Sequence, residues 1–133
     1  MFKKKKDSIM KAFTSIEQSK TLAKILPIES ADMCYRIVAY NPNDTHIYQP
    51  YCFVGTLESD IPCWSFAALL EIIPKYIEHL NRLRIDIDNV DFSIWYDNLN
   101  GYGVNDKLPN ITLKEPVDAC VEMIIKLHEL KML

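Results

Sequence analysis

Residues 82–97, RLRIDIDNVDFSIWYD, constrain the fold more than any other stretch of the chain. Arg82, Arg84, Asp86 and Asp88 alternate with Leu83, Ile85 and Ile87. A period of two, with one charged set and one apolar set, marks a strand with a wet face and a covered face. Asp88-Asn89-Val90-Asp91 turns the chain, and residues 92–97 return. Pairing Asp88 with Asp91 sets Ile87 opposite Phe92, Ile85 opposite Ile94 and Leu83 opposite Tyr96, so all six share one face. The same register puts Trp95 on the other face opposite Arg84, and Arg82 opposite Asp97. Valine is poor at a turn position that needs φ > 0, so a bulge is expected in the loop.

An apolar sheet face needs helices against it, and three segments supply them. The most apolar run, IPCWSFAALLEIIP at residues 61–74, reads as a central core helix. Ser65, or a residue just before it, caps this helix, which runs to about Ile73. Phe66, Leu69, Leu70, Ile72 and Ile73 cover most of its circumference, which predicts burial on more than one side. Pro74 ends it or opens a looser turn through Leu80. An earlier helix starts at Thr14, with Glu17 three residues on as a capping box. Its apolar face is Ile16, Ala23 and Leu26, widened by Leu22 and Ile25, and Pro27 stops it. The last helix opens with Pro116 at its first position, and Asp118 and Lys131 suit the dipole at its two ends. Val117, Val121, Ile124 and Leu127, with Cys120 and Leu130 alongside, form its buried stripe. Asp118, Glu122, Lys126 and Glu129 form its wet one.

Met33–Tyr40 is rich in β-formers, Asn41-Pro42-Asn43-Asp44 is turn chemistry, and a second strand lies within residues 47–56. Pro50 confines the first part of that strand to an edge or a bulge. Residues 98–114 hold two of the three glycines and several asparagines, which reads as a long functional or mobile loop. The order is α-β-β-α-β-β-α. It specifies an α+β single domain, an antiparallel sheet with helices mainly on one face, at residues 14–133 behind a flexible basic arm at 1–13.

The 133 residues carry a net charge of −3 that is unevenly spread. Residues 1–26 hold seven lysines and two acids, and residues 27–133 hold eight basic and sixteen acidic side chains. An acidic body argues against a dedicated nucleic-acid binder, because phosphate neutralisation needs a basic field. Lys3, Lys4, Lys5 and Lys6 leave room for a weak electrostatic tether, and Met10 for a start that makes residues 1–9 an extension. No apolar run is long enough to span a membrane, and no apolar segment follows the lysines as in a secretory signal. The cysteines (Cys34, Cys52, Cys63, Cys120) are dispersed in apolar contexts without a CxxC, as buried thiols of a cytoplasmic protein would be.

No cofactor or metal is implied. His46, His79 and His128 are far apart, without HxxxH spacing or a cysteine at ligand distance. Asp86, Asp88, Asp91 and Asp97 imitate a calcium loop, but Asp91 and Asp97 stand where the sixth-position glycine and twelfth-position glutamate belong. Cys63, just before a helix, could be activated by the dipole, yet no base is placed beside it, and packing is its simpler role. GxSxG, the Walker loop and GxGxxG are all missing, and the GYG at residues 101–103 is too short to cradle a phosphate.

The candidate binding residues are Trp95, Arg84 and Arg82 on the outer face of the second hairpin. Aromatic and arginine side chains together are characteristic interface anchors. Alternatively Trp95 covers the Arg84 stem, or lies under a helix or the 98–114 loop. Trp64, at the entrance to the central helix, is the fourth candidate.

Three segments in order, TSIEQSKTLAKILPIESADM, IPCWSFAALLEIIP and EPVDACVEMIIKLHEL, give the chain a resemblance. It resembles a group of small uncharacterised proteins of gut Bacteroides-type bacteria and their phages and mobile elements. The resemblance runs from Met10 nearly to the end and supports residues 1–9 as an extension. It implies a bacterial or phage cytosolic setting and an accessory role exerted by binding, and it transfers no catalytic residue. The expected function is a small non-enzymatic protein-interaction module, acting on a protein partner or as a homodimer. The alternatives are a nucleic-acid-associated accessory protein using the lysine arm, and a small enzyme or ligand binder with a pocket under the 98–114 loop.

Overall fold

The computed structural model describes residues 11–43, 45–100 and 107–133, and the backbone of 103–104. The lysines at 3–6, the Met10 start and part of the GYG loop lie outside the described residues.

Ser15, not Thr14, caps the first helix, α1 (Ile16–Ala23), and the capping box is shifted by one residue. The Ser15 hydroxyl accepts from the Gln18 N–H at 3.1 Å, and the Gln18 side chain accepts from the Ser15 N–H at 3.0 Å. Thr14 is drawn inward instead. Its hydroxyl meets that of Ser19 at 2.7 Å and accepts from the Trp64 N–H at 3.2 Å. The shift rotates the buried face onto Ser19, Leu22 and Leu26, leaving Ile16 half-buried and Ala23 exposed. Residues 11–13 belong to the folded body and not to an arm. Ala12 accepts from the Phe66 N–H, Phe13 packs edge-on against Tyr35, and the Lys11 ammonium lies 2.8 Å from Asp118 and 2.7 Å from Gln18.

After a 3-10 turn (Ile28–Ser30), β1 (Met33–Tyr40) and β2 (His46–Tyr51) form the expected antiparallel hairpin, with a register shift between Ile37 and Ala39. Pro50 sits on the edge strand, where a missing N–H is tolerated. The other edge of β1 pairs with β3 (Ile61–Cys63), the first three residues of the central apolar run. Three residues are too few to show a period, so this strand reads as part of the helix approach.

Ser65 caps α2 (Phe66–Ile72) through the Ala68 N–H, and the Asp32 carboxylate accepts from both the backbone and the hydroxyl of Ser65. The chain then forms β4 (Tyr76–Ile77), β5 (Asn81–Ile87), β6 (Phe92–Asn98), β7 (Gly103–Val104), β8 (Ile111–Leu113) and α3 (Pro116–Glu129). The 98–114 segment is thus not a structureless loop, since β7 and β8 both pair with β6. Among the described residues the strands divide into two antiparallel sheets, β2-β1-β3 and β4-β5-β6-β7 with β8 on β6. The class is α+β, as expected, with two sheets in place of one.

Each sheet has its own core. Met33, Tyr35 and Cys63 pack with Phe13 and Ile16 under the first. The larger core gathers Leu22, Trp64, Leu69, Phe92, Ile94 and Tyr96 with the buried stripe of α3. Val117, Cys120, Val121, Ile124 and Leu127 are buried as expected, whereas Leu130 is exposed. There the helix closes in a Schellman motif, with Met132 N–H on the Leu127 carbonyl at 2.9 Å and Lys131 N–H on that of His128 at 3.0 Å. Lys131 takes the left-handed position at φ 60°, one that favours glycine.

Candidate interaction surface

The second hairpin keeps the register read from its sequence, with Ile87 opposite Phe92, Ile85 opposite Ile94, Leu83 opposite Tyr96 and Arg84 opposite Trp95. The turn needs no bulge. Asp88 donates its N–H to the Asp91 carbonyl at 3.0 Å, and its carboxylate accepts from the N–H groups of Asp91 and Val90 at 2.7 and 2.8 Å. Neither Asn89 nor Val90 has a positive φ, so valine is unstrained there. The same two N–H groups, that of Asp91 first, hold the Asp88 carboxyl below its usual range.

The register sets Trp95, Arg84 and Arg82 on one face of the strand pair, with Arg84 opposite Trp95 and Arg82, at the end of the strand, also bordering the groove beside Leu83. Trp95 is half-buried, and its Nε1–H donates to Asp97 Oδ1 at 2.8 Å. The other oxygen of Asp97 lies 3.6 Å from Arg84 Nε, while Arg82 is exposed. Ser93 and Thr112 extend this face with hydroxyls 2.9 Å apart. The polar edge of Trp95 is therefore satisfied by its own strand.

Trp64 is a correction. Its side chain is 0% exposed and lies in the main core, with Nε1–H donating to the Ser30 hydroxyl at 3.0 Å. Thr14 holds the backbone of Trp64 on both sides, donating to its carbonyl and accepting from its N–H, and this fixes the residue between β3 and α2. It has no free face to offer a partner.

The face expected to be buried is the one left open. On β6, Phe92, Ile94 and Tyr96 are fully buried, while directly opposite on β5 Ile85 is 41% and Ile87 68% exposed. Val90 in the turn is 64% exposed, and Leu83 is half-buried. The cause is the width of a helix. One helix is about 10 Å across, and strands lie about 4.8 Å apart, so a single helix covers about two strands. α3 lies over β6 and β8, which leaves β5 beyond its reach. Between β5 and the end of α2 runs a groove of about 520 Å³ lined by Leu70, Lys75, Tyr76, Arg82, Leu83 and Ile85. Nothing in the alternation of β5 signals this, because the pattern is the same for a covered and an uncovered strand.

The edge of β5 is open as well. β4 pairs with Asn81 and Arg82, and the Lys75 carbonyl accepts from the Leu83 N–H at 2.8 Å. Beyond Leu83 that edge meets no strand among the described residues. Backbone groups point to alternate sides along a strand, so the N–H and C=O of Ile85 and Ile87 point the way Leu83 does, outward.

Other candidates resolve differently. Cys63 is a core residue of β3 whose thiol is raised by burial, the opposite of activation by a helix end. The Thr14 hydroxyl is 3.5 Å away, and Tyr35 donates to the Thr14 carbonyl at 2.6 Å. His46 stacks edge-on with Tyr40 at 4.9 Å, His79 occupies the β4–β5 turn, and His128 is exposed near the end of α3. Beside the 98–114 segment, a shallow depression of about 270 Å³ is lined by Lys107, Leu108, Pro109, Lys126, Glu129 and Leu130. Lys126 is already paired with Glu122 at 3.5 Å, and this lining includes no histidine, serine or cysteine. Among the described residues no helix is long and apolar enough to cross a membrane. Comparison with family models, with curated proteins and with solved structures finds no match.

Proposed function

We propose that this protein is a small interaction module of a bacterium or phage, and that it binds through the β5 side of its second sheet. The observation that carries the reading is the pairing of a strand edge that is open among the described residues with uncovered isoleucines at Ile85 and Ile87. Contiguous apolar surface rimmed by charge favours association, and an open edge offers main-chain hydrogen bonds to an incoming strand. Lys75 and Arg82 at the groove and Arg84 on the outer face supply that rim. Trp95, bonded to Asp97 of its own strand, supports β5 from the neighbouring strand instead of forming the contact itself.

The test is an Ile85→Lys/Ile87→Lys double variant, compared with the natural chain after cross-linking in cells and purification. Both positions are exposed, so the variant is expected to fold, as its thermal transition will show. It should lose at least one cross-linked species, the natural chain's own dimer included. Identical cross-linked products from the two proteins would sink the reading.

A further inference from the structure

We propose that β5 pairs antiparallel with β5 of a second copy of this chain, about a two-fold axis passing beside Asp86. The proposal rests on the reading of the β5 edge as a binding surface and names its occupant. The open stretch is residues 84–88. It is bounded on one side by the Lys75 carbonyl on Leu83 and on the other by the Asp88–Asp91 turn. A strand that pairs with its own copy across a two-fold must centre on its free segment, and the centre of this one is Asp86.

That register makes use of the features left over on this strand. Ile85 falls opposite Ile87 of the second copy, and Ile87 opposite Ile85, so the exposed isoleucines cover one another. Their outward N–H and C=O groups form the hydrogen-bonded pairs of the new ladder. On the wet face Arg84 meets Asp88 of the second copy, twice by symmetry, and opposite charges across strands favour pairing. Asp86 faces itself on the axis, a like-charge contact that weakens the dimer and keeps it reversible. A register centred on Ile85 would match the charges more fully, Arg84 with Asp86 and Arg82 with Asp88. It would also bring Ile87 of the second copy onto Leu83, whose N–H is already held by Lys75 at 2.8 Å.

Self-pairing on an axis leaves a signature that no other partner reproduces. Cys52 is exposed, so the experiment uses a Cys52→Ser background. Asp86→Cys should then oxidise to a covalent dimer. Facing residues of a non-hydrogen-bonded pair stand about 4.5 Å apart between Cα atoms, within disulfide reach. Ile85→Cys in the same background should cross-link far less, because it faces position 87. A reversal of these two results would overturn the register and with it the proposal.

Sedimentation of the protein without introduced cysteines gives a second readout. The natural chain should show a concentration-dependent dimer, tightened severalfold by Asp86→Asn and abolished by Ile85→Lys. A chain that stays monomeric throughout, with no Asp86→Cys cross-link, overturns the second copy as occupant. If the Ile85→Lys/Ile87→Lys variant then still loses a cross-linked heterologous protein, the surface reading survives alone. If it loses nothing, both fail.

Discussion

β5 and β6 are two strands of one hairpin, with the same alternation, the same register and facing apolar side chains, yet they have opposite fates. Phe92, Ile94 and Tyr96 lie under α3, and Ile85 and Ile87 lie in the open. The difference is one of position in the sheet. β6 is central, paired with β5 on one side and with β7 and β8 on the other, whereas β5 has β4 beside only its first residues. A period of two says which side chains share a face. Whether that face is covered depends on where a helix from elsewhere in the chain comes to rest.

The sharpest way to break the comparison is to truncate the two members of one facing pair. Ile94→Ala should cost about 3 kcal/mol in denaturant unfolding, the usual loss for emptying a closed core site. Ile85→Ala, on the same face and directly opposite, should cost less than about 1 kcal/mol. Equal losses would mean that β5 is covered after all. Tyr96→Phe comes next, since it removes a 2.6 Å hydrogen bond from the phenol to the Pro74 carbonyl and leaves that acceptor short of a partner. A loss of about 1–2 kcal/mol is expected.

The first sheet supplies a pH-dependent counterpart. Arg36 grips Asp60 with two hydrogen bonds of 2.9 and 2.8 Å, and the N–H groups of Leu57 and Thr56 add two more. These hold the Asp60 carboxyl at about 2, with the Arg36 contact the largest cause. A lowered folded pKa means that the unfolded chain takes up its proton first. The stabilisation is complete above the ordinary carboxylate range and is lost as pH falls through about 2. Asp60→Asn should flatten this part of the acid unfolding curve and leave Ile85 and Ile94 variants with unchanged pH slopes. The same four hydrogen bonds depend on Gly55, where a Cβ would stand 2.8 Å from that of Asp60.

The smallest effect has the opposite sign. Lys131→Gly should raise stability by up to about 1 kcal/mol, since the residue already holds the left-handed position of a helix end. His79→Gly, in a turn where Glu78 and His79 both have φ near 60°, should act the same way. That second substitution borders β4, so it also reports whether β4 stiffens the start of β5. A fall in melting temperature for Lys131→Gly would refute the Schellman assignment.

Much of this fold was legible because the chain repeats its signals. The hairpin register could be read residue by residue, since alternation and turn agree on a single pairing. The core helix at Ser65 and the stripe of α3 follow from capping chemistry and a period of 3.6. The elements that the sequence does not show are short or nonlocal. β3, β4 and β7 have three or two residues each, below the length at which a period exists. The capping box slipped by one because Thr14, an equally good cap by type, is recruited by Trp64 and Ser19, neither of which is apparent from local spacing. The candidate site was half legible. Sequence places Trp95, Arg84 and Arg82 on one face correctly, but the opening of the other face is set by α3.

The prolines of the first sheet bear on how far any assembly can grow. Both of its outer strands carry one, Pro50 in β2 and Pro62 in β3, so the row of donors that a neighbouring strand would need is interrupted on each flank. β5 has no proline. A two-fold contact uses the same strand in both copies and leaves neither with a further edge of that kind to offer, whereas a head-to-tail contact can propagate into a filament. Contact through β5 is therefore expected to terminate at a pair, and Pro50 and Pro62 keep the flanks of the first sheet from adding a second contact to it.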